Sequence, residues 1–539
     1  MGEHDELVLD PAGVGPQQEP TAPAAEDQLE TTALPADAPV DLSRRPQGMV
    51  ALIAAVACTV AGSRLIVIWA LGSPVPLLDQ WNGEGQRVYG PYLRGTLSFA
   101  DLFTPHNSHR IFIFRLLSLV HLELAGEWNT RLEMIFGAIA LTAVATWLAA
   151  LLMPLVAPQC RLLLACFVAF VFAFPIGYEN VLSGFQSMVY ISLLFAVAAL
   201  VAFGTAQAFS LRWFGGLVAA VLSCLSFAAG VSTVLAVGLL VGLQLATKAR
   251  KRCGRELAGV VVIASIAVAM ILWEASGANP LSTPWTFIEG LVLFTARIIL
   301  PLIPTVWFCW HTLARRPAIS DHAWVALGIA GWVAIQVVLL AYGRGNLVAP
   351  RYLDMLLLAY PVGLVAVLTL AGQAQARRPG RVAGPLAATW VFILVAMVAA
   401  MGGVGVLGSI KWSEAARQQE VEVKAYLATH DVDHLRAKDG PGLEAQLYFP
   451  TQQLAEILAD PDVREVLPPQ FRPPGADIAK ARNRMWLKGS LAKGTAAAVH
   501  VILLLGPVLL AVGVSLFFAV GSRRSLPAAE GDAGVTSEI

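Results

Sequence analysis

Four groups of polar side chains in this sequence have the types and spacing for chemistry on a phosphate-bearing substrate, and each stands beside an apolar run. The first is Leu78-Asp79-Gln80-Trp81, directly after the run from about Met49 to Leu71. A carboxylate anchored by the end of a membrane helix suits a general base acting on a lipid-delivered substrate. The same residues also suit a helix cap, at Asp79, and an interfacial aromatic anchor, at Trp81. The second group runs from Thr104 to Arg110 and carries His106 and His109 three residues apart, which share a face if the segment is helical. With Arg110 they offer donors to substrate or pyrophosphate, or two ligands to a divalent metal, a set that lacks a fixed carboxylate.

The third group is Gly177-Tyr178-Glu179-Asn180 with Ser183, Gly184, Phe185 and Gln186. Glu179 and Gln186 are seven residues apart, two helical turns, so a continuous helix would point both into one cavity. The fourth holds Arg344 in Tyr342-Gly343-Arg344-Gly345-Asn346 and Arg351 and Tyr352 in Pro350-Arg351-Tyr352-Leu353-Asp354. Planar guanidinium groups match phosphate geometry, and Arg351 has a helical alternative partner in Asp354.

The elements that must position these groups are membrane helices. Of 539 residues, 57% are hydrophobic and 14% charged, where soluble chains carry about a quarter charged residues. Mean hydropathy is +0.66. Zero formal net charge argues against the clustered basic face that a nucleic-acid partner needs, and the expected partner is the lipid bilayer. Apolar runs of span length begin near Met49, Leu132, Leu162, Ser187, Trp213, Gly230, Leu257, Ile288, Ala323, Tyr352, Ala383 and Ala497, predicting about 12 spans. The joint Ala228-Ala229-Gly230 reads either as a tight turn or as a kink within one long helix.

Charge orients the spans. Residues 1–46, rich in Pro, Ala, Asp and Glu, read as a disordered cytoplasmic tail. With that tail inside, Arg161, Arg212, Lys248, Arg250, Arg315, Arg316, Arg377, Arg378, Arg523 and Arg524 all fall on the cytoplasmic side. An even span count then returns the 522–539 tail to the cytoplasm, so both termini are expected there. The fold class expected is an all-α polytopic membrane protein. Its core is 47–410, its last helix 495–521, and a small extracytoplasmic mixed domain at 411–494 precedes that helix. The other long outer segment, 72–131, contains amphipathic stretches expected to lie along the membrane surface. Arg64 and Arg297, inside spans, are expected to face the bundle interior and a partner. No cysteine falls in either outer segment and no CxxC pattern occurs, so neither a disulfide framework nor structural zinc is expected.

The layout resembles the GT-C superfamily of integral-membrane glycosyltransferases. The segments that carry the resemblance are Asp79-Gln80-Trp81, His106-Asn107-Ser108-His109-Arg110, Glu179-Asn180 with Gly184-Phe185-Gln186, and Arg351-Tyr352-Leu353, within roughly residues 50 to 520. They are similar to segments of bacterial membrane proteins assigned to that superfamily. The resemblance implies transfer of a sugar from a polyprenyl-phosphate donor to a glycan or lipid acceptor of the cell envelope, at the outer face of a bacterial plasma membrane. It makes Asp79 the catalytic base or an acceptor-orienting carboxylate, and Arg344 or Arg351 the donor-phosphate ligand. Many members pair two acidic residues in the first loop, whereas here Gln80 follows Asp79, a departure that weakens the case for a divalent metal as cofactor. A transporter or flippase of a lipid-linked saccharide or polar solute, and a lipid-linked polymerase or ligase, are the alternatives. A transporter would show two corresponding halves, and the sequence holds no second copy of the Asp79 or His106 segments.

Overall fold

The computed structural model describes residues 44–107, 110–275, 282–377, 383–436 and 449–525. The expected N-terminal tail, apart from residues 44–46, and His109 lie outside the described residues. The helices used below are α1 Arg44–Leu71, α2 Phe112–Ala125, α3 Thr130–Leu152, α4 Arg161–Ala173, α5 Tyr178–Val181, α6 Ser187–Thr205, α7 Leu211–Ser226 and α8 Val231–Ala246. They continue with α9 Gly254–Ala275, α10 Pro284–Arg315, α11 Ala323–Arg344, α12 Pro350–Leu356, α13 Ala359–Arg377, α14 Ala383–Thr429, α15 Thr451–Ala459, α16 Pro461–Val466, α17 Ile478–Arg484, α18 Ala492–Leu504 and α19 Gly506–Ser525.

Among the described residues the regular structure is all helical. Nine helices are long and apolar enough to cross a membrane, and a tenth span forms if Ala492–Leu504 and Gly506–Ser522, bent by 41°, count as one. The chain is therefore a multi-pass helical membrane protein. Two of the 12 expected runs fall short of span length. The runs at Leu162 and Trp213 form only the short apolar helices Pro158–Ala173 and Leu211–Ser226. Sixteen residues make about 24 Å of helix, less than the ~30 Å hydrocarbon core. The first stops before Pro175, as a residue preceding proline is pushed out of the helical region. The second stops at Phe227, which is extended (φ −165°, ψ 149°). A 3₁₀ turn, Ala228–Gly230, then reverses the chain, so the joint is a turn and not a kink. A Cβ on Gly230 would lie 2.2 Å from the Ser223 carbonyl carbon, so only glycine lets the chain fold back that tightly.

Backbone contact also joins the first span to the last. Cβ atoms on Gly62 and Gly513 would meet the Leu510 nitrogen at 2.4 Å and the Thr59 hydroxyl at 2.3 Å. Lipid tails are as apolar as the helices, so close packing of small residues, not hydrophobic exclusion, holds this seam. Arg64 faces the interior as expected; it donates to the Phe172 and Phe174 carbonyls, 2.9 Å each, at the end of α4. Arg297 does not, because its side chain lies on the exposed face of α10.

The two long segments form one helical cap on a single end of the bundle. The expected mixed domain at 411–494 has no strand among its described residues, and 411 is not a boundary, because α14 runs unbroken for 47 residues. The cap's core mixes both segments: Trp81, Val88, Tyr89 and Trp128 pack with Trp412, Val463, Val466 and Leu467. Charged contacts close its rim, with Arg94 on Asp460 at 2.7 Å and Arg472 on Glu127 at 2.9 Å, while Arg484 reaches Asp462 and Glu465. The Trp128 amide donates to the Val466 carbonyl at 2.7 Å. We predict that Gly62→Val and Gly513→Val each lower stability by about 1–3 kcal/mol through overpacking of the seam. Denaturant unfolding in detergent, followed by tryptophan fluorescence, reads this, and unchanged midpoints would refute the backbone seam.

Candidate functional site

Asp79 stands where α1 hands over to the cap. The turn before it places Leu78 at φ 52°, an uncommon conformation for a branched side chain. Gln80 braces the turn from within: its Oε1 accepts from the Leu77 amide at 3.0 Å and its Nε2 donates to Glu133 Oε2 at 2.8 Å. The side chain of Asp79 remains 40% exposed, 3.8 Å from Nε2 of His106, which is buried. His106 in turn packs on the ring of Phe185, 5.2 Å between centroids.

Behind Asp79 the chain winds as a π-helix, Trp81–Tyr89. Its wide turn puts residues five apart on one face, so Glu84 and Tyr89 point together into the cap. Glu84 meets Glu133, the first acidic residue of α3, in a fully buried cluster. Glu84 Oε2 accepts from the Trp128 indole at 3.0 Å, and the Tyr89 hydroxyl lies 3.4 Å from Glu84 and 3.3 Å from Glu133. Burial above all, and then the neighbouring Glu133, raise the Glu84 carboxyl well above the ordinary 4.5. Neither glutamate was among the sequence candidates. The signal that could have found each one singly is a carboxylate at the head of an apolar span, Glu133, and another between two glycines, Glu84.

Glu179 and Arg351 form an ion pair of 2.6 Å, with Glu179 buried and Arg351 partly exposed. Arg351 therefore does not take Asp354 as its helical partner. Asp354 instead accepts from the Gly177 amide (3.0 Å), Asn180 Nδ2 (3.0 Å) and the Tyr190 hydroxyl (2.6 Å). Burial raises the Glu179 carboxyl, and Arg351 opposes the rise. Tyr352 lies between the two arginines: the Arg351 and Arg344 guanidinium carbons stand 5.3 Å and 5.7 Å from its ring centre.

Other expectations are corrected. Glu179 and Gln186 do not share a two-turn helix, because α5 ends at Val181 and a separate 3₁₀ turn, Gly184–Gln186, follows. Gln186 is buried at the head of α6. His106 is not helical either, and Asn107 beside it has φ 51°. Arg110 donates to the Phe103 and Trp273 carbonyls at 3.2 Å each, stacked 5.0 Å from the Trp273 ring. Among the described residues no three His, Cys, Asp or Glu side chains gather as a metal site. Asp79 and His106 supply two such donors.

The chain matches no protein-family model, no curated protein and no solved structure. The chemistry of the site must therefore be argued from its geometry.

The raised Glu84 carboxyl sets a pH dependence. The folded state holds its proton more tightly than the unfolded chain does, so the associated stability is complete below about 4.5 and is lost as pH rises through the folded value. Glu84→Gln, which mimics the protonated form, is expected to flatten that alkaline loss. Thermal unfolding of parent and variant across pH 4 to 9 checks it, and parallel curves would contradict it.

Proposed function

We propose that this protein is a membrane glycosyltransferase of the GT-C kind that moves a sugar from a polyprenyl-phosphate donor to a cell-envelope acceptor. In this reading the cap lies on the outer face of a bacterial plasma membrane and both termini are cytoplasmic. The observation that carries it is the Asp79 carboxylate, which is braced by Gln80, paired with buried His106 and still open to solvent at the cap end of the bundle.

Asp79 takes the proton of the acceptor hydroxyl as its oxygen bonds to the anomeric carbon. The bond from that carbon to the phosphate oxygen breaks, and polyprenyl phosphate leaves with the electron pair. A guanidinium is the natural partner for the departing charge. Arg351 is suited to it, being partly exposed and held in orientation by Glu179 and the Tyr352 ring. Glu179 accordingly acts through Arg351 as a positioning residue, and Arg344, on the same ring, is the second phosphate ligand. His106 orients Asp79.

Transfer of radiolabelled sugar from polyprenyl-phosphate donors in proteoliposomes tests this. With Asp79→Asn we expect a loss of about 10²–10⁴-fold at matched folded levels, the range for removal of a general base. Arg351→Ala is expected to be similarly impaired and Arg351→Lys intermediate. Absence of transfer across a broad donor panel, with solute flux in the same vesicles, would make transport the better reading.

A further inference from the structure

At the end of the bundle away from the cap, α10, α13 and α14 enclose a groove of about 610 Å³ whose lining changes character along its length. Each helix gives it one stripe. On α13 the stripe is Val367, Leu370, Ala371, Ala374 and Arg377, at the spacing of a single helical face. Ile303 and Val367 line the part nearer the middle of the bundle, Trp307 and Trp390 line its length, and His311 and Arg377 line the part where α10 and α13 end. From Val367 to Arg377 is ten residues, about 15 Å of helix. Beyond His311 and Gln373 the space continues as a second cavity of about 340 Å³, which Arg315 lines. Among the described residues no acidic side chain lines either cavity, and Arg315 pairs with Asp321 at 3.6 Å beside the second.

We propose that this groove binds an anionic phospholipid of the bilayer, its phosphate at the His311 and Arg377 end and an acyl chain along the tryptophan walls. The gradient from apolar to cationic matches an amphiphile entering head outward. A guanidinium holds phosphate bidentately, and basic pockets between membrane helices select anionic headgroups. A zwitterionic lipid fits less well, because its ammonium would meet the Arg377 guanidinium with no carboxylate among the described lining residues to receive it. A soluble anion leaves the apolar half unfilled. The volume lies within the range of ligand sites, about 300–1,000 Å³. The groove stands at the far end of α10, whose 32 residues span about 48 Å, so the proposal does not rest on the reaction assigned to Asp79.

Native mass spectrometry of the delipidated full chain, titrated with phosphatidylglycerol, phosphatidylcholine or inorganic phosphate, tests it. Phosphatidylglycerol is expected to bind at least about fivefold more tightly than the other two. Arg377→Gln and His311→Gln are each expected to weaken it about fivefold, leaving phosphatidylcholine unchanged. Ala374→Glu, which adds a carboxylate to the lining, should weaken it likewise, and thermal unfolding confirms that each variant is folded. Equal affinity for phosphatidylglycerol and phosphatidylcholine, tighter binding of inorganic phosphate, or undiminished binding in the folded variants would overturn the proposal.

Discussion

The buried Asp354 carboxylate accepts from the Gly177 amide, Asn180 and Tyr190, and through these bonds it fixes the segment 177–186 between α4 and α6. A Cβ on Gly177 would fall 2.3 Å from that carboxylate, which shows how closely the backbone is drawn in. A buried carboxylate persists only when its lone pairs are satisfied. Everything at the cap end leans on the segment so held. Glu179 reaches Arg351, Gly184 abuts Glu133, and Phe185 supports His106.

A second constraint runs through Gln80. Its amide joins the Leu77 backbone to Glu133, and Glu133 shares a buried cluster with Glu84 and Tyr89. The turn that presents Asp79 is thereby tied to the head of α3 and to the π-helix. Loosening any of these ties would move a carboxylate that has no regular secondary structure of its own to hold it. The cap reinforces the arrangement because Trp128, which donates to Glu84, also packs against residues from beyond α14.

Arg250 shows the same logic at another position. It donates to the Phe203 and Ala206 carbonyls and pairs with Glu256 at 2.9 Å, both side chains buried. Charges survive in this protein where helix ends supply carbonyls or an opposite charge. Such pairs hold register between helices more than they add stability.

The sequence by itself determined the class of the molecule and the place of most of its helices, because an apolar run of some twenty residues has few alternatives to a membrane helix. It also marked Asp79, His106, Glu179, Arg344 and Arg351 as polar residues in costly places. Tertiary structure alone decided their partners. Arg351 chose Glu179 over Asp354, a contact 172 residues away in the chain that no local spacing encodes. The two short helices were hidden for the opposite reason: hydropathy reads composition, whereas Phe227 and Pro175 end them through backbone geometry. The Glu84 and Glu133 cluster was invisible because its members lie far apart in sequence and meet only when loop and span fold together. Likewise, nothing in 72–131 or 411–494 announces the other, and burial of their shared core is what makes them one cap.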